Sequence, residues 1–196
     1  TQFENRWIVA GQCAAQTKAG ASCGSQGSVQ LSGKWYCRVR GHAPETASAD
    51  LPEGVEVLDP GDRDLALVCA ESVRGHAPAA KLLAGGEAER GIEWVDLTTG
   101  IACRGRIDYL APGYLLDIKS TRRETLRDIA GDAARHLYHG QLAWYHDGAM
   151  AAGVLPGDAV GPYMIAVETV EPYDVAVLRM SQFTYMAGQV LYCDLI

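Results

Sequence analysis

From Asp62 to Leu83 the apolar residues Leu65, Val68, Cys69, Val73, Ala77, Ala80 and Leu83 recur at helical spacing, and Pro78 is placed to break the run into two shorter helices. After Gly91 the period shortens. Gly91 to Leu97, Ile101 to Leu110 and Tyr114 to Ser120 read as strands separated by Thr98-Thr99-Gly100 and Ala111-Pro112-Gly113, which predicts a three-stranded antiparallel meander. Helical spacing returns over Arg122 to Gly148, with Leu126, Ile129, Ala133, Leu137, Leu142 and Trp144 as core positions and Gly131 and Gly140 as weak points. Two more strands follow, Tyr163 to Val170 and Tyr173 to Met180, and Ser181 can cap a final helix. This order of elements implies an α/β sandwich, a mixed central sheet flanked by helices.

The length of 196 residues, 48% of them hydrophobic and 21% charged, fits one domain with a sizeable core plus a small appendage. We place the appendage at residues 1–61 and the core at 62–196. No apolar run is long enough to span a membrane, and Thr1 to Arg6 lacks the layout of a signal peptide, so the expected location is the cytoplasm. A start other than Met and a last segment that stops inside a helical pattern suggest a piece of something longer.

A net charge of −7 argues against a general polyanion binder. The charge is unevenly spread. Pro44 to Gly100 holds 12 acidic and 4 basic residues, whereas Ile101 to Tyr145 holds 7 basic and 5 acidic ones.

Residues 12–42 are rich in Gly, Ser, Gln and Ala and too poor in apolar residues to order themselves by burial. Cys13, Cys23, Cys37 and His42 lie there, separated by nine, thirteen and four residues, and three thiolates with one imidazole suit a closed tetrahedral Zn²⁺ site that would order the segment. Free thiols or disulfides are the alternatives. Cys69, Cys103 and Cys193 sit in apolar patterns and read as small buried hydrophobes. His76, His136, His139 and His146 are expected at the surface or at helix caps, with His136 and His139 within possible reach of phosphate.

The chemistry concentrates between Gly105 and Lys119. In a strand alternate side chains share a face, so Asp117 and Lys119 point the same way, and Asp108 at the end of the neighbouring strand can approach them. Two carboxylates and an ammonium fit a hard-cation phosphodiesterase site. The carboxylates would hold Mg²⁺ or Mn²⁺, the Ile118 carbonyl could add a ligand, and Lys119 would orient water and neutralise developing charge. The plain alternative is a structural salt bridge, although a Lys and an Asp in an apolar strand are costly unless paired or metal-bound. On the next helix Tyr138, Gln141 and Tyr145 share a face, with Arg135 about a turn and a half before Gln141, a stripe able to grip a DNA end or simply to pack.

Asp108, then Asp117-Ile-Lys119, then Gln141-Leu-Ala-Trp-Tyr145 resembles the D…(D/E)xK…QxxxY pattern of the RecB-like branch of PD-(D/E)xK nucleases. The wider run from Val73 to Tyr145, with His76-Ala-Pro, Glu89-Arg-Gly-Ile-Glu-Trp94 and Arg104-Gly-Arg-Ile-Asp108, is similar to the exonuclease VIII group. Position 107 is Ile where the motif's name has Pro.

The resemblance implies a restriction-endonuclease-like core with Asp108 and Asp117 as metal ligands, Lys119 as catalytic lysine, Gln141 and Tyr145 on DNA, and Glu89 as an auxiliary carboxylate. It also implies a metal ligand from an upstream helix that does not precede Thr1 here. Further implications are 5′-to-3′ exonuclease action on duplex ends in phage-type recombination, a ring-shaped homo-oligomer, a single-strand annealing partner, and a bacterial or phage-infected cell. Two rivals stand beside this expectation, a catalytically inactive DNA-binding or assembly module and a structure-specific endonuclease.

Overall fold

The computed structural model describes residues 7–9, 23, 29–31, 34–36, 56–122 and 125–194. The chain divides into two compact units, residues 1–67 and 68–196. In the first lie β1 (Trp7–Val9), β2 (Val29–Leu31), β3 (Lys34–Tyr36) and β4 (Glu56–Leu58); β1 pairs in parallel with β4, and β2 pairs antiparallel with β3. Of the four expected zinc ligands, Cys13, Cys37 and His42 lie outside the described residues, and Cys23 is buried.

The boundary between units falls within α1 (Pro60–Gly75), after which come α2 (Ala77–Leu82) and the meander β5 (Glu87–Val95), β6 (Ala102–Ala111) and β7 (Tyr114–Thr121). Next are α3 (Leu126–Arg135), α4 (Tyr138–Ala151), β8 (Tyr163–Glu168), β9 (Val175–Arg179) and α5 (Gln182–Cys193). The strands form one mixed sheet in the order β5-β6-β7-β8-β9, with β7 and β8 parallel and the other neighbours antiparallel.

Each face of this sheet buries its own core. On one, Ile92, Trp94, Ile107, Leu115 and Met164 pack with Ile129 of α3 and Leu142 and Ala149 of α4. On the other, Tyr109, Ala111, Leu116, Ile165 and Val167 pack with Val73 of α1 and Ala79 of α2. Successive residues Leu115 and Leu116 thus enter opposite cores, as the period of two in a strand requires.

Several expectations are corrected. The break between α1 and α2 falls at His76, whose Nδ1 accepts the Ala79 N–H at 3.4 Å, and Pro78 sits in the first turn of α2, where a missing N–H is harmless. The single helix expected over Arg122 to Gly148 is two, divided at Leu137 in the left-handed conformation (φ 57°) and not at either glycine. Leu137 and Leu126, expected in the core, are exposed. Ile118, in the apolar strand that carries Asp117 and Lys119, is 39% exposed.

His146 is the reverse case. It is buried, its ring edge-on to Tyr185 at 5.2 Å and its Nδ1 3.0 Å from the Tyr185 hydroxyl. Tyr185 donates to Asp147, which also takes hydrogen bonds from Gln189 (2.8 Å) and Tyr192. Because the Tyr185 proton goes to Asp147, its oxygen accepts from His146, which fixes the proton on Nδ1. Burial pushes the His146 pKa down, against the pull of Asp147.

Candidate active site

The β6–β7 ladder runs from Ala111↔Tyr114 to Tyr109↔Leu116 and ends there. At the same level the alternation of β6 slips, since Ile107 enters the α4-side core and Tyr109 the opposite one. Asp108 occupies the wedge where the two strands part. Its Oδ2 accepts the Ile118 N–H at 3.0 Å, in the place of a ladder partner. Across β6, Ala88↔Tyr109 and Arg90↔Ile107 bracket Glu89, which has φ 55°.

Beyond the end of the ladder, β7 continues against β8, so Asp117 and Lys119 remain on a rigid strand, opposite Met164 and Ala166. Asp117 is 2% exposed. Lys119 Nζ lies 3.0 Å from its Oδ1 and 2.9 Å from its Oδ2. The second approach is an ion-pair distance without hydrogen-bond direction, so Oδ2 is buried with no directed donor.

Burial is the largest influence on Asp117 and pushes its pKa up to about 6; Lys119 opposes this, and the neighbouring Asp108 charge adds to it. A buried carboxylate beside a second one, with a single ammonium between them, is a deficit of positive charge. An oxygen-seeking divalent cation fits that donor set. Among the described residues no group of three or more Asp, Glu, His or Cys gathers around it, so these side chains alone would give only part of a coordination shell.

Lys119 is held from three sides. Besides Asp117, its Nζ donates to Gln141 Oε1 at 3.3 Å and sits 4.7 Å from the centroid of the Tyr138 ring. The α3–α4 break makes this possible, because it starts α4 at Tyr138 and lets the helix present Tyr138 and Gln141, three residues apart, to β7.

The other sequence-predicted residues lie farther out. Tyr145 packs in the α4-side core with its ring over Gly105, where an added Cβ would stand 2.8 Å from Cε1. Arg135 pairs with Asp132 at 3.1 Å. Glu89 is exposed and pairs with Arg106 at 2.8 Å. Sequence reasoning passed over Arg122 and Asp132, which line a cleft with Lys119; the basic tail of β7 just after the D-x-K triplet was the available signal.

The model of a family described as PDDEXK-like domain of unknown function (DUF3799) matches residues 56–195. Among solved structures, a protein from Eubacterium rectale named "Putative exonuclease" superposes with a TM-score of 0.54 at 14% identity, over 72% of this chain and 53% of that one. The likeness is one of fold, and this chain spans about half the length of that protein. A second structure, SSO0001, gives a TM-score of 0.34 at 14% identity, over 68% of this chain and 58% of that one. No curated protein matches the sequence.

Proposed function

The chain belongs to the PDDEXK-like family (DUF3799) of the PD-(D/E)xK nuclease superfamily, and on that premise we propose that it is a metal-dependent deoxyribonuclease whose centre is Asp108, Asp117 and Lys119. The observation that carries the proposal is Asp117, a buried carboxylate ion-paired with Lys119 and set against a second acid, Asp108.

Asp108 and Asp117 would hold Mg²⁺ or Mn²⁺. Within a strand the N–H and C=O of one residue point to the same side. Because the Ile118 N–H turns to Asp108, its carbonyl turns to the same wedge and is available as a further ligand. When bound, such an ion would polarise the phosphoryl oxygens and acidify a water. Lys119 places an ammonium at the attacked phosphate, where charge develops during displacement. Gln141 and Tyr138 fix that ammonium, Arg135 would extend the DNA-facing side at the end of α3, and Tyr145 supports α4 from the core. Glu89, held by Arg106, is a reserve carboxylate.

The resemblance to the exonuclease VIII group extends the proposal to 5′-to-3′ action on duplex ends, a ring-shaped homo-oligomer, and a single-strand annealing partner in phage-type recombination. A structural Zn²⁺ on Cys13, Cys23, Cys37 and His42 belongs to the same reading, and elemental analysis should then find one zinc per chain. No helix among the described residues is long and apolar enough to cross a membrane.

A second reading, a DNA-binding module without catalysis, is favoured by one observation, the gathering of two acids and no third among the described residues. Linear duplex labelled at either 5′ or 3′ end, beside a closed circle, separates the possibilities in one assay. Mg²⁺-dependent loss of linear DNA with release of the 5′ label as mononucleotide supports the proposal. Cutting of the circle indicates an endonuclease, and binding that is indifferent to Mg²⁺ without cutting indicates the module.

A further inference from the structure

Past Lys119, the end of β7 and the turn between α3 and α4 enclose a cleft of about 300 Å³. Its basic lining consists of Lys119, Arg122, Arg135 and His136, against a single carboxylate, Asp132. Arg135 is already engaged with Asp132 and Lys119 with Asp117. Arg122 is exposed and enters no ion pair among the described residues. His136 stacks on Tyr138, centroids 5.4 Å apart and planes 18° from parallel, with Nδ1 2.9 Å from the Asp132 carbonyl oxygen. A carbonyl only accepts, so Nδ1 carries a proton and the ring is fixed in place.

We propose that this cleft is a phosphate subsite, with Arg122 as its principal donor, holding a backbone phosphate of the substrate strand beyond the one attacked at Lys119. A guanidinium offers a planar pair of donors to phosphate and keeps its charge at every working pH. Arg122 follows Lys119 by three residues of nearly extended chain, about 10 Å, far enough to reach past the attacked phosphate. Ser120 adds a hydroxyl to the lining. Asp132 works against an anion here, so it tempers the subsite and restricts it to the phosphate position that Arg122 reaches.

The substrate in this inference rests on the nuclease reading, but its test does not require cleavage. Binding of a labelled linear duplex by the full chain is measured in EDTA over a series of salt concentrations. Arg122→Ala is expected to weaken binding about tenfold and to reduce the slope of log K against log[salt] by about 0.7 to 0.9, the loss of one phosphate contact. Asp132→Asn, which removes the opposing charge, should tighten binding a few-fold. Arg74→Ala, in the last turn of α1, changes net charge equally and should leave the slope alone.

An unchanged slope and affinity in Arg122→Ala would overturn the subsite, as would an equal loss in Arg74→Ala, which would mean bulk charge only. Failure of the nuclease reading looks different. A parent chain that never cleaves, yet loses slope in Arg122→Ala, keeps the subsite in a DNA-binding protein; one that cleaves without any slope change keeps the nuclease and loses the subsite.

Discussion

Asp117 is ionised against the preference of its surroundings, because burial, and after it the charge of Asp108, lifts its pKa from 3.8 to about 6. Between those values the folded chain holds the proton more tightly than the unfolded one. The resulting stability is present below the ordinary carboxylate range and is lost as pH rises through about 6. In metal-free protein at neutral pH, Asp117→Asn should therefore raise Tm, at about 2–4 °C for each kcal/mol relieved. A lower Tm in thermal melts would show that the ion pair with Lys119 outweighs burial. Protons and metal compete for the same oxygens, so Mg²⁺ affinity measured by calorimetry should fall as pH drops through about 6. An affinity that does not vary across that range would separate Asp117 from metal binding.

At the scale of elements, the wedge between β6 and β7 and the break before α4 bring the site together, and they differ in how far the sequence foretells them. Alternation along β7 places Asp117 and Lys119 on one face, and the Pro112-Gly113 turn places Asp108 on the neighbouring strand; both are local and legible. That the ladder stops at Tyr109↔Leu116, so that Asp108 takes the Ile118 N–H, depends on tertiary packing on both faces of the sheet. The left-handed Leu137 was equally hidden, because nothing local marks a leucine for that conformation.

Gly140 was misread as a weakness for a related reason, and Gly188 in α5 belongs to the same contact. A Cβ at Gly140 would stand 2.7 Å from Leu191 Cδ2, and one at Gly188 2.3 Å from the His139 carbonyl oxygen, so both glycines let α4 and α5 approach closely. The bond network on Asp147 reinforces the same contact, and the spacing of Tyr185, Gln189 and Tyr192 along α5 could have suggested it. A contrast follows. Gly131→Ala, with open space around it in α3, should stabilise by about 0.5–1 kcal/mol through helix propensity. Gly188→Ala gains the same propensity but must move α4 backbone, and overpacking should leave it destabilised by about 1–3 kcal/mol. Denaturant unfolding of the two variants checks both signs, and a stabilised Gly188→Ala would refute the close-packing account.

For the whole molecule, the order of elements and the mixed sheet were legible because period-two and helical patterns change cleanly along residues 62–196. Family membership rests on residues 56–195 and gives the fold a nuclease lineage, while the two-acid site and the lysine give it a chemistry to be tested. The most direct measurement is the rate at which linear duplex DNA is degraded with Mg²⁺ by this chain, by Lys119→Ala and by Asp117→Ala, each shown to be folded. The account predicts degradation by the parent, abolished by EDTA, and a loss of about 100-fold or more in both variants. Degradation that persists in either variant, or a parent that binds duplex yet leaves it intact with Mg²⁺ and with Mn²⁺, would contradict it.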